Sequence, residues 1–363
     1  MKKRIIIAGG GTGGHIFPAL AIANALRKKE PDMDILFVGA NGKMEMEKIP
    51  AAGYPIRGID IAGYNRSSLI KNIALPYKLI KSFLQVKGIF HSFKPQAAIG
   101  VGGYSTFPVL RYGQAVGIPT FIHESNSLAG KSNRMLGNKA TRIFTASDGM
   151  EKYFPAGKLV YTGNPLRKNV VSNQVSREEA LNFFDLDPQY TTVLITGGSL
   201  GARSMNEAIN AGISQLTRNQ IQLIWQTGKS FTEKATAQAV ESKLIWTSEF
   251  ISEMQYAYAA ADIIVSRSGS VLYELCAVRK PVIFVPYPNA AEDHQTANAE
   301  NLVKKNAAIM IPDKDAGERL VPEILRLAKN KPEQEKLKEN IGKLAIMDAD
   351  EKIATEILNI LNG

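Results

Sequence analysis

A run of glycines followed by a histidine, Gly9 to His15, is the part of this sequence best suited to chemistry. It follows the apolar run Arg4 to Ala8 and opens a segment whose apolar residues recur at helical spacing. Glycines let backbone N–H groups approach an oxyanion closely, and the positive end of a helix dipole favours that anion. Thr12, Gly13 and Gly14 are therefore candidate ligand contacts; the alternative is a tight turn that only packs a helix on a strand.

His15 lies in the first turn of the predicted helix, where the helix dipole favours the neutral imidazole. A neutral histidine can remove a proton from a hydroxyl group, so His15 is a candidate general base; the alternative is a helix cap or a packing residue. The run also matches the G-x-G-x-x-G pattern of NAD-binding turns. However, the next strand, Ile35 to Gly39, ends without the carboxylate that grips the ribose there, which disfavours NAD.

A second glycine turn, Gly197 to Ala202, again follows a predicted strand and precedes a predicted helix. Its Ser199 hydroxyl can donate a hydrogen bond alongside backbone N–H groups, so this turn is suited to a pyrophosphate. The alternative is a plain connection from strand to helix. Near the middle of the chain, Arg167 ends the turn that starts at Thr162 and is a candidate phosphate contact.

Polar residues follow the predicted strand Pro119 to Ile122, in the order His123, Glu124, Ser125, Asn126. Glu124 is suited to orient a histidine or to act as a base itself, and Asn126 to bind sugar hydroxyls. The alternative is that Ser125 or Asn126 caps the next helix.

Three further polar residues follow strands later in the chain. Glu274 lies one turn into a predicted helix, where its carboxylate is suited to accept hydrogen bonds from two adjacent ribose hydroxyls or, alternatively, to complement the helix dipole. Gln295 and Asn298 share one face of a helix and offer the neutral donors and acceptors that sugar hydroxyls prefer.

Short apolar runs alternate with helical patterns along the whole chain, which predicts α/β folds with parallel sheets. The alternation restarts near Thr192, so we expect two Rossmann-like, doubly wound domains facing a cleft. The predicted domains are 1–163 and 164–346, and a helix within 347–363 is expected to pack back on the first domain. Nine strands are predicted, at Arg4 to Ala8, Ile35 to Gly39, Ala97 to Val101, Pro119 to Ile122, Thr141 to Thr145, Thr192 to Thr196, Ile221 to Gln226, Asp262 to Ser266 and Pro281 to Pro286.

The composition narrows the function classes. With one cysteine, Cys276, and four histidines in 363 residues, the sequence favours neither a disulfide framework nor a metal cage. Four D-x-D sequences occur outside glycine-bearing loops after strands and are interpreted as solvated turns, so we expect no metal. No apolar run reaches the roughly 18 residues that a membrane span needs.

The net charge of +10 points to an anionic partner. From Tyr64 to Lys94 there are no acids, and lysines are interspersed with leucines, isoleucines and phenylalanines. Such a stretch is suited to an anionic membrane surface, or alternatively to a long core-packing helix with a solvated lysine face. No nucleic-acid recognition signature is visible, so nucleic acid is not expected as a partner.

Taken together, these motifs resemble the MurG family of UDP-N-acetylglucosamine (UDP-GlcNAc) transferases nearly end to end. The resemblance rests on Gly10 to Pro18, Gly102 to Tyr104, His123 to Asn126, Gly163 to Arg167 and Gly197 to Ala202. It implies a glycosyltransferase fold of the B type and a metal-independent, inverting transfer of GlcNAc from UDP-GlcNAc. The implied acceptor is the 4-hydroxyl of MurNAc in undecaprenyl-pyrophosphoryl-MurNAc-pentapeptide. The implied location is the cytoplasmic face of the cell membrane, as a peripheral protein in peptidoglycan synthesis, with no cofactor.

By position, the resemblance implies donor contacts mainly in the C-terminal domain and places the lipid acceptor on the N-terminal one. The implied donor contacts are Thr12 to Gly14, Asn126, Arg167, Ser199, Ile251 and Gln295. The loop between Gly269 and Glu274 is one residue shorter than is usual in the family. Two alternatives share the fold, namely a transferase acting on another lipid and a UDP-GlcNAc epimerase. With the second glycine turn better suited to the donor pyrophosphate, the first turn is expected on the acceptor side, with His15 as the base.

Overall fold

The computed structural model describes residues 2–63, 75–171, 174–198 and 201–363. The chain divides into two compact units. The first unit comprises Met1–Leu166 together with Ile346–Gly363, and the second unit comprises Arg167–Ala345. Each unit contains one parallel β-sheet and helices that connect its strands, so the predicted fold class is confirmed.

The first unit has a seven-stranded sheet in the order β3-β2-β1-β4-β5-β6-β7, and its paired strands run parallel. These strands are Arg4–Ala8 (β1), Asp34–Ala40 (β2), Ile56–Ile59 (β3), Ala97–Gly100 (β4), Thr120–Glu124 (β5), Arg142–Thr145 (β6) and Leu159–Tyr161 (β7). The helices of its first segment are Gly13–Lys29 (α1), Glu45–Ala51 (α2), Leu75–Phe93 (α3), Thr106–Ala115 (α4) and Lys131–Gly137 (α5). The strand order reverses direction between β1 and β4, which is the position at which open α/β sheets usually bind their ligands.

The second unit repeats this plan in a six-stranded parallel sheet of order β10-β9-β8-β11-β12-β13. Its strands are Thr191–Thr196 (β8), Ile221–Gln226 (β9), Ile245–Ser248 (β10), Ile263–Ser266 (β11), Val282–Phe284 (β12) and Ile309–Met310 (β13). Its helices are Lys168–Val171 (α6), Arg177–Phe183 (α7), Arg203–Arg218 (α8), Thr232–Val240 (α9), Met254–Ala260 (α10), Val271–Val278 (α11), His294–Lys304 (α12), Ala316–Lys329 (α13) and Lys331–Gly342 (α14). Here the order reverses between β8 and β11.

The central strands are apolar on both faces because helices cover both sides of each sheet. Ile5, Ile6 and Ile7 of β1 are fully buried, and they alternate between the two core clusters on either side of the first sheet. The same pattern holds for Val193, Leu194 and Ile195 of β8. Because the paired strands run parallel, their carboxyl ends lie at one edge of each sheet.

One of the strand ends that differ from the prediction changes the position of candidate site residues. Strand β5 extends through Glu124, where His123 pairs with Phe144 and Glu124 with Thr145 of β6. His123 and Glu124 therefore belong to the buried end of a strand, and the loop that was expected to carry them starts at Ser125.

The last helix, Ala349–Asn362 (α15), belongs to the first unit, where it packs along α1. Its apolar face buries Ile353, Ala354 and Ile357 in the same core cluster as the helix that carries His15. On the outer side, Lys28 pairs with Glu351 at 3.2 Å.

Candidate functional site

The first glycine turn lies against a second loop of the same unit, at the point where the strand order reverses. The Gly10 N–H donates to the Gly102 carbonyl, 3.2 Å away, which joins the loops after β1 and β4. Gly103 has a positive φ of 90°, and a Cβ there would collide with the main chain of Gly10. The two loops are thus packed backbone against backbone, which only glycine permits.

His15, the third residue of α1, is held by this pair of loops. Its Nδ1 lies 3.0 Å from the Gly10 carbonyl oxygen. Because a carbonyl only accepts, Nδ1 carries the proton, and the lone pair of the neutral ring is on Nε2. The ring also lies on Gly102, since a Cβ there would come within 2.6 Å of Nε2. The structure therefore holds His15 in one tautomer and one orientation, which suits a general base.

Glu45, the first residue of α2, fills the inner side of the first glycine turn, a role that no sequence motif predicted. Glu45 is 1 % exposed, and its carboxylate accepts the Gly11 N–H at 2.7 Å and the Ala40 N–H at 3.0 Å. A Cβ on Gly10 would collide with this carboxylate. The N–H of Gly11 is therefore already used by a negative group, which disfavours a second anion at that point of the turn.

The remaining predicted contacts of the turn lie at the start of α1. Thr12 is the exposed N-cap residue with an extended backbone, and Gly13 and Gly14 begin the helix half-buried. The part of the turn that faces outward is therefore Thr12 to Gly14. Contact of these three residues with the donor stays a prediction.

Glu124 organises the loop that follows β5. One carboxylate oxygen accepts the backbone N–H and the side-chain amide of Asn126, at 3.0 and 3.2 Å. The other accepts the Gly130 N–H at 3.0 Å and the Asn133 amide at 2.8 Å. Glu124 is 3 % exposed, and each of its carboxylate oxygens already accepts two hydrogen bonds. It is therefore better placed to position Asn126 than to take a proton from a hydroxyl.

His123 is a second histidine in the core of the first unit. The residue is 1 % exposed, and among the described residues neither ring nitrogen has a hydrogen-bond partner. Burial lowers the pKa of His123 to about 4, and the charge interaction with His15 also lowers it. The main chain of Gly163 opposes this shift, although it does not reach hydrogen-bond geometry. His123 is therefore neutral at pH 7.

In the second unit, the second glycine turn is fastened to the end of β9. Gly198 and Gly201 have positive φ angles of 82° and 75°, and the Gly201 N–H donates to the Gly198 carbonyl at 3.0 Å. A Cβ on Gly201 would collide with the Thr227 carbonyl. Helix α8 begins two residues later, so its N-terminus follows the turn directly. Ser199 lies outside the described residues.

Arg167 and Glu274, predicted independently as donor contacts, bind each other. The guanidinium donates from Nε and Nη2 to the two carboxylate oxygens at 2.7 and 2.6 Å. Burial alone would lower the pKa of Arg167, but the ion pair with Glu274 raises it. The buried Tyr258 hydroxyl also donates to Glu274, 3.4 Å away. A ribose that binds Glu274 must therefore share or replace these donors.

Gln295 and Asn298, on α12, both contact the loop after β11. The Ser268 hydroxyl donates to the Gln295 carbonyl at 2.7 Å, and the Asn298 amide donates to the Ser268 carbonyl at 3.1 Å. The side-chain oxygen of Gln295 accepts the Tyr287 N–H at 2.9 Å. These contacts bring the loops after β11 and β12 together beside the helix that carries Glu274.

Ile251, which follows β10, is 3 % exposed, and its N–H donates to the side-chain oxygen of Gln226 at 3.2 Å. The carbonyl oxygen and the side chain of Ile251 are the groups that the nucleobase of a donor could contact without displacing Gln226. The described candidate donor contacts of the second unit thus lie in loops and helix starts at the carboxyl edge of one sheet, apart from Arg167, which reaches Glu274 from the start of the unit.

The basic stretch predicted from Tyr64 to Lys94 is partly described. Residues 64–74 lie outside the described residues, and the rest is mostly α3. One face of α3 is buried through Ser82, Val86 and Phe90, while the opposite side exposes the large apolar residues Tyr77, Ile80 and Leu84. Lys87 is exposed beside this apolar side, and Lys78 is exposed near the start of the helix. Among the described residues no helix is both long enough and apolar enough to cross a membrane.

Two family models cover most of the chain. Residues 5–145 match the glycosyltransferase family 28 N-terminal domain, and residues 192–353 match the glycosyltransferase family 28 C-terminal domain. The chain belongs to glycosyltransferase family 28. It is therefore a glycosyltransferase, and the two matched domains fall on the two sheets described above.

Curated relatives agree over nearly the full length. A protein of Phocaeicola vulgatus is 48 % identical over 361 residues, covering 98 % of this chain and 96 % of the relative. A protein of Cytophaga hutchinsonii is 48 % identical over 360 residues, covering 99 % and 97 %. Both are named UDP-N-acetylglucosamine–N-acetylmuramyl-(pentapeptide) pyrophosphoryl-undecaprenol N-acetylglucosamine transferase.

Solved structures also superpose on nearly the full length of this chain. The crystal structure of MurG from Acinetobacter baumannii superposes with a TM-score of 0.79 at 27 % identity, covering 99 % of this chain and 100 % of that one. A UDP-N-acetylglucosamine 2-epimerase superposes with a TM-score of 0.70 at 16 % identity, covering 100 % and 97 %. The second likeness concerns the fold alone.

Proposed function

We propose that this protein transfers GlcNAc from UDP-GlcNAc to the 4-hydroxyl of MurNAc in undecaprenyl-pyrophosphoryl-MurNAc-pentapeptide, with inversion at the anomeric carbon. The relatives that carry this activity in their names align over nearly the whole chain. The structural observation that supports the proposal most is His15. It is fixed in the tautomer that leaves a lone pair on Nε2, at the reversal point of a Rossmann-like sheet.

The proposed reaction is a single displacement. Nε2 of His15 takes the proton of the acceptor hydroxyl while the hydroxyl oxygen forms a bond to the anomeric carbon of GlcNAc. At the same time the bond between that carbon and the UDP oxygen breaks. Charge on the departing UDP is stabilised by the start of α8 and by Arg167, which the ribose frees when it binds Glu274. No metal is required in this scheme.

Glu124 is proposed as a positioning residue in place of a second base. Its four hydrogen bonds hold the loop from Asn126 to Asn133, so it places Asn126 for contact with a sugar. The other proposed substrate contacts are Thr12, Gly13, Gly14, Ser199, Ile251, Gln295 and Asn298. We assign the acceptor to the first unit and the donor mainly to the second unit.

Product analysis tests the proposed reaction. The purified protein is incubated with UDP-GlcNAc and a lipid-linked MurNAc-pentapeptide, and the lipid product and UDP are quantified by mass spectrometry. One GlcNAc added per UDP released is expected. Consumption of UDP-GlcNAc without acceptor would instead indicate an epimerase, and transfer only to a different lipid would refute the acceptor assignment.

His15→Ala tests the base. Turnover should fall by about 10²- to 10⁴-fold, the usual contribution of a general base, while the Kd for UDP-GlcNAc stays within about twofold. The control is Val240→Ala, which shortens an 82 % exposed side chain of the second unit, outside the proposed site. Unchanged turnover in the His15 variant would exclude it as the base.

We also propose that the exposed side of α3 binds the anionic membrane surface that carries the acceptor. Each lysine near such a surface contributes about 1 kcal/mol, so Lys78→Gln with Lys87→Gln should weaken binding to phosphatidylglycerol vesicles about 30-fold at low salt. Ile80→Ser should weaken binding to the same vesicles at high salt. Val240→Ser, at an 82 % exposed position of the second unit, is the control. Equal vesicle binding by all variants would refute this surface.

A further inference from the structure

Gln226 is a buried polar residue that neither the sequence motifs nor the proposed mechanism uses. It is the last residue of β9 and is 1 % exposed. Its Cα is in register with Thr196 at the end of β8 on one side and with Ser248 at the end of β10 on the other. Three neighbouring strands therefore end level at Gln226, and the loops that leave them start beside its side chain.

The side-chain amide of Gln226 spans these loops. Its nitrogen donates to the carbonyl of Gly198 at 2.8 Å, in the second glycine turn. Its oxygen accepts the N–H of Ile251 at 3.2 Å, in the loop after β10. One amide group thus joins two main-chain segments that are 53 residues apart in sequence.

Only one orientation of this amide satisfies both partners. If the group were flipped, its oxygen would face the Gly198 carbonyl and its nitrogen would face the Ile251 N–H, so both contacts would become repulsive. Leucine keeps the approximate volume of glutamine but makes neither bond. Asparagine keeps the amide but is one methylene shorter, so it cannot reach both loops.

The end of β9 also touches the turn through its main chain. Gly201 lies so close to the Thr227 carbonyl that a Cβ would collide with it, and the Thr227 N–H donates to the Ser248 carbonyl at 3.0 Å. Residues 226 and 227 therefore connect the loops after β8 and β10 twice, once through a side chain and once through the backbone. The side-chain connection is the one that a substitution can remove.

We propose that Gln226 is a positioning residue that sets the spacing between the pyrophosphate-binding turn and the base-binding loop of the donor site. This inference rests on the proposed function, in which the second glycine turn holds the UDP pyrophosphate and Ile251 contacts the nucleobase of UDP. The covalent structure of a nucleoside diphosphate limits the distance between its nucleobase and its phosphates. A group that fixes the two loops relative to each other therefore lowers the cost of ordering them when the donor binds.

The second unit offers a matched control on the same strand. Gln222 of β9 is fully buried, and its side chain also spans two neighbours, donating to the Asp187 carbonyl and the Thr192 hydroxyl at 2.8 Å each. It lies at the amino end of the strand, away from the glycine turn. Gln222→Leu therefore removes a comparable buried amide without touching the proposed donor loops.

The test compares Gln226→Leu, Gln226→Asn and Gln222→Leu with the wild type in steady-state transfer and in calorimetric titration with UDP. Loss of the side-chain connection between the two donor loops is expected to raise the KM for UDP-GlcNAc and the Kd for UDP roughly tenfold in both Gln226 variants. The kcat and the KM for the lipid acceptor should stay within about twofold, because lost ground-state binding raises KM alone. Gln222→Leu should lower the melting temperature without changing the KM for UDP-GlcNAc.

The outcomes separate this inference from the proposed function. If the wild type neither binds UDP nor transfers GlcNAc, the proposed function fails. If the wild type is active and a folded Gln226 variant keeps the wild-type KM and Kd, or if Gln222→Leu raises them equally, the positioning role is refuted. Gln226→Asn keeps a polar side chain in the buried site, so it provides a folded protein for measurement if Gln226→Leu does not fold.

Discussion

The contact between Gly102 and His15 makes a sharp prediction about catalysis. Gly102 has a positive φ of 104°, and a methyl group added there would come within 2.5 Å of Cδ2 and 2.6 Å of Nε2 of His15. Ordinary carbon contacts need about 3.5 Å, so in Gly102→Ala the ring must move by about 1 Å or the loop must shift. Either change displaces the nitrogen that we propose as the base.

The expected effect is mainly on turnover. A displacement of about 1 Å in a catalytic group costs on the order of 10²-fold in rate, so kcat for GlcNAc transfer should fall by about that factor in Gly102→Ala. The Kd for UDP-GlcNAc should change little, because the donor is assigned mainly to the second unit. The unfavourable φ should also lower the free energy of unfolding by about 1 to 3 kcal/mol.

Gly117→Ala separates strain from displacement. Gly117 also has a positive φ, of 79°, but a Cβ there meets no atom within 4 Å. This variant should lose a similar amount of stability in urea titration while keeping its kcat within about twofold. If Gly102→Ala turned over as fast as Gly117→Ala, the packing of His15 on Gly102 would not matter for catalysis, and the reasoning would be refuted.

Two further predictions concern buried groups. The pKa of His123 is about 4 in the folded protein and about 6.5 in the unfolded chain, so the unfolded state takes up a proton first on acidification. The free energy of unfolding should therefore fall by about 3 kcal/mol from pH 7 to pH 4. Urea titrations of the wild type and of His123→Gln at both pH values measure this, since the variant lacks that part of the pH dependence; equal pH dependence would contradict it. Burial raises the pKa of Cys276 to about 12, so its thiol should react with Ellman's reagent at pH 8 only after unfolding, and rapid labelling of the native protein would show that the thiol is exposed.

The sequence predicted the interior of both sheets and missed their edges. All nine predicted strands are present, with ends that differ by up to two residues. The four strands without a predicted range, β3, β7, β10 and β13, are the outer strands of the two sheets. They are two to four residues long, and only β3 and β10 contain a buried residue, one each. Edge strands are covered less completely, so they lack the continuous apolar run that marks a central strand.

The sequence predicted those site residues whose role follows from their spacing along the chain. It did not predict those whose role depends on partners that are distant in sequence. The glycine turns, His15 and the pair Gln295 and Asn298 could be recognised because their spacing places them after strands or on one helix face. Glu45 was visible only as the start of a helix, since its partner Gly11 is 34 residues away. Gln226 was visible only as the end of a strand. Only tertiary folding brings these two side chains to the main chain of loops that are distant in sequence.

The first unit is discontinuous in the chain, and this has a consequence for its biogenesis. Residues 167–345, the whole second unit, leave the ribosome before α15, which supplies Ile353, Ala354 and Ile357 to the core under α1. The second unit can therefore complete its fold during translation, whereas the first unit waits with an open apolar groove along α1 until α15 emerges. A frameshift or premature stop within α15 would leave α1, the helix that carries His15, uncovered on one side while sparing the fold of the second unit.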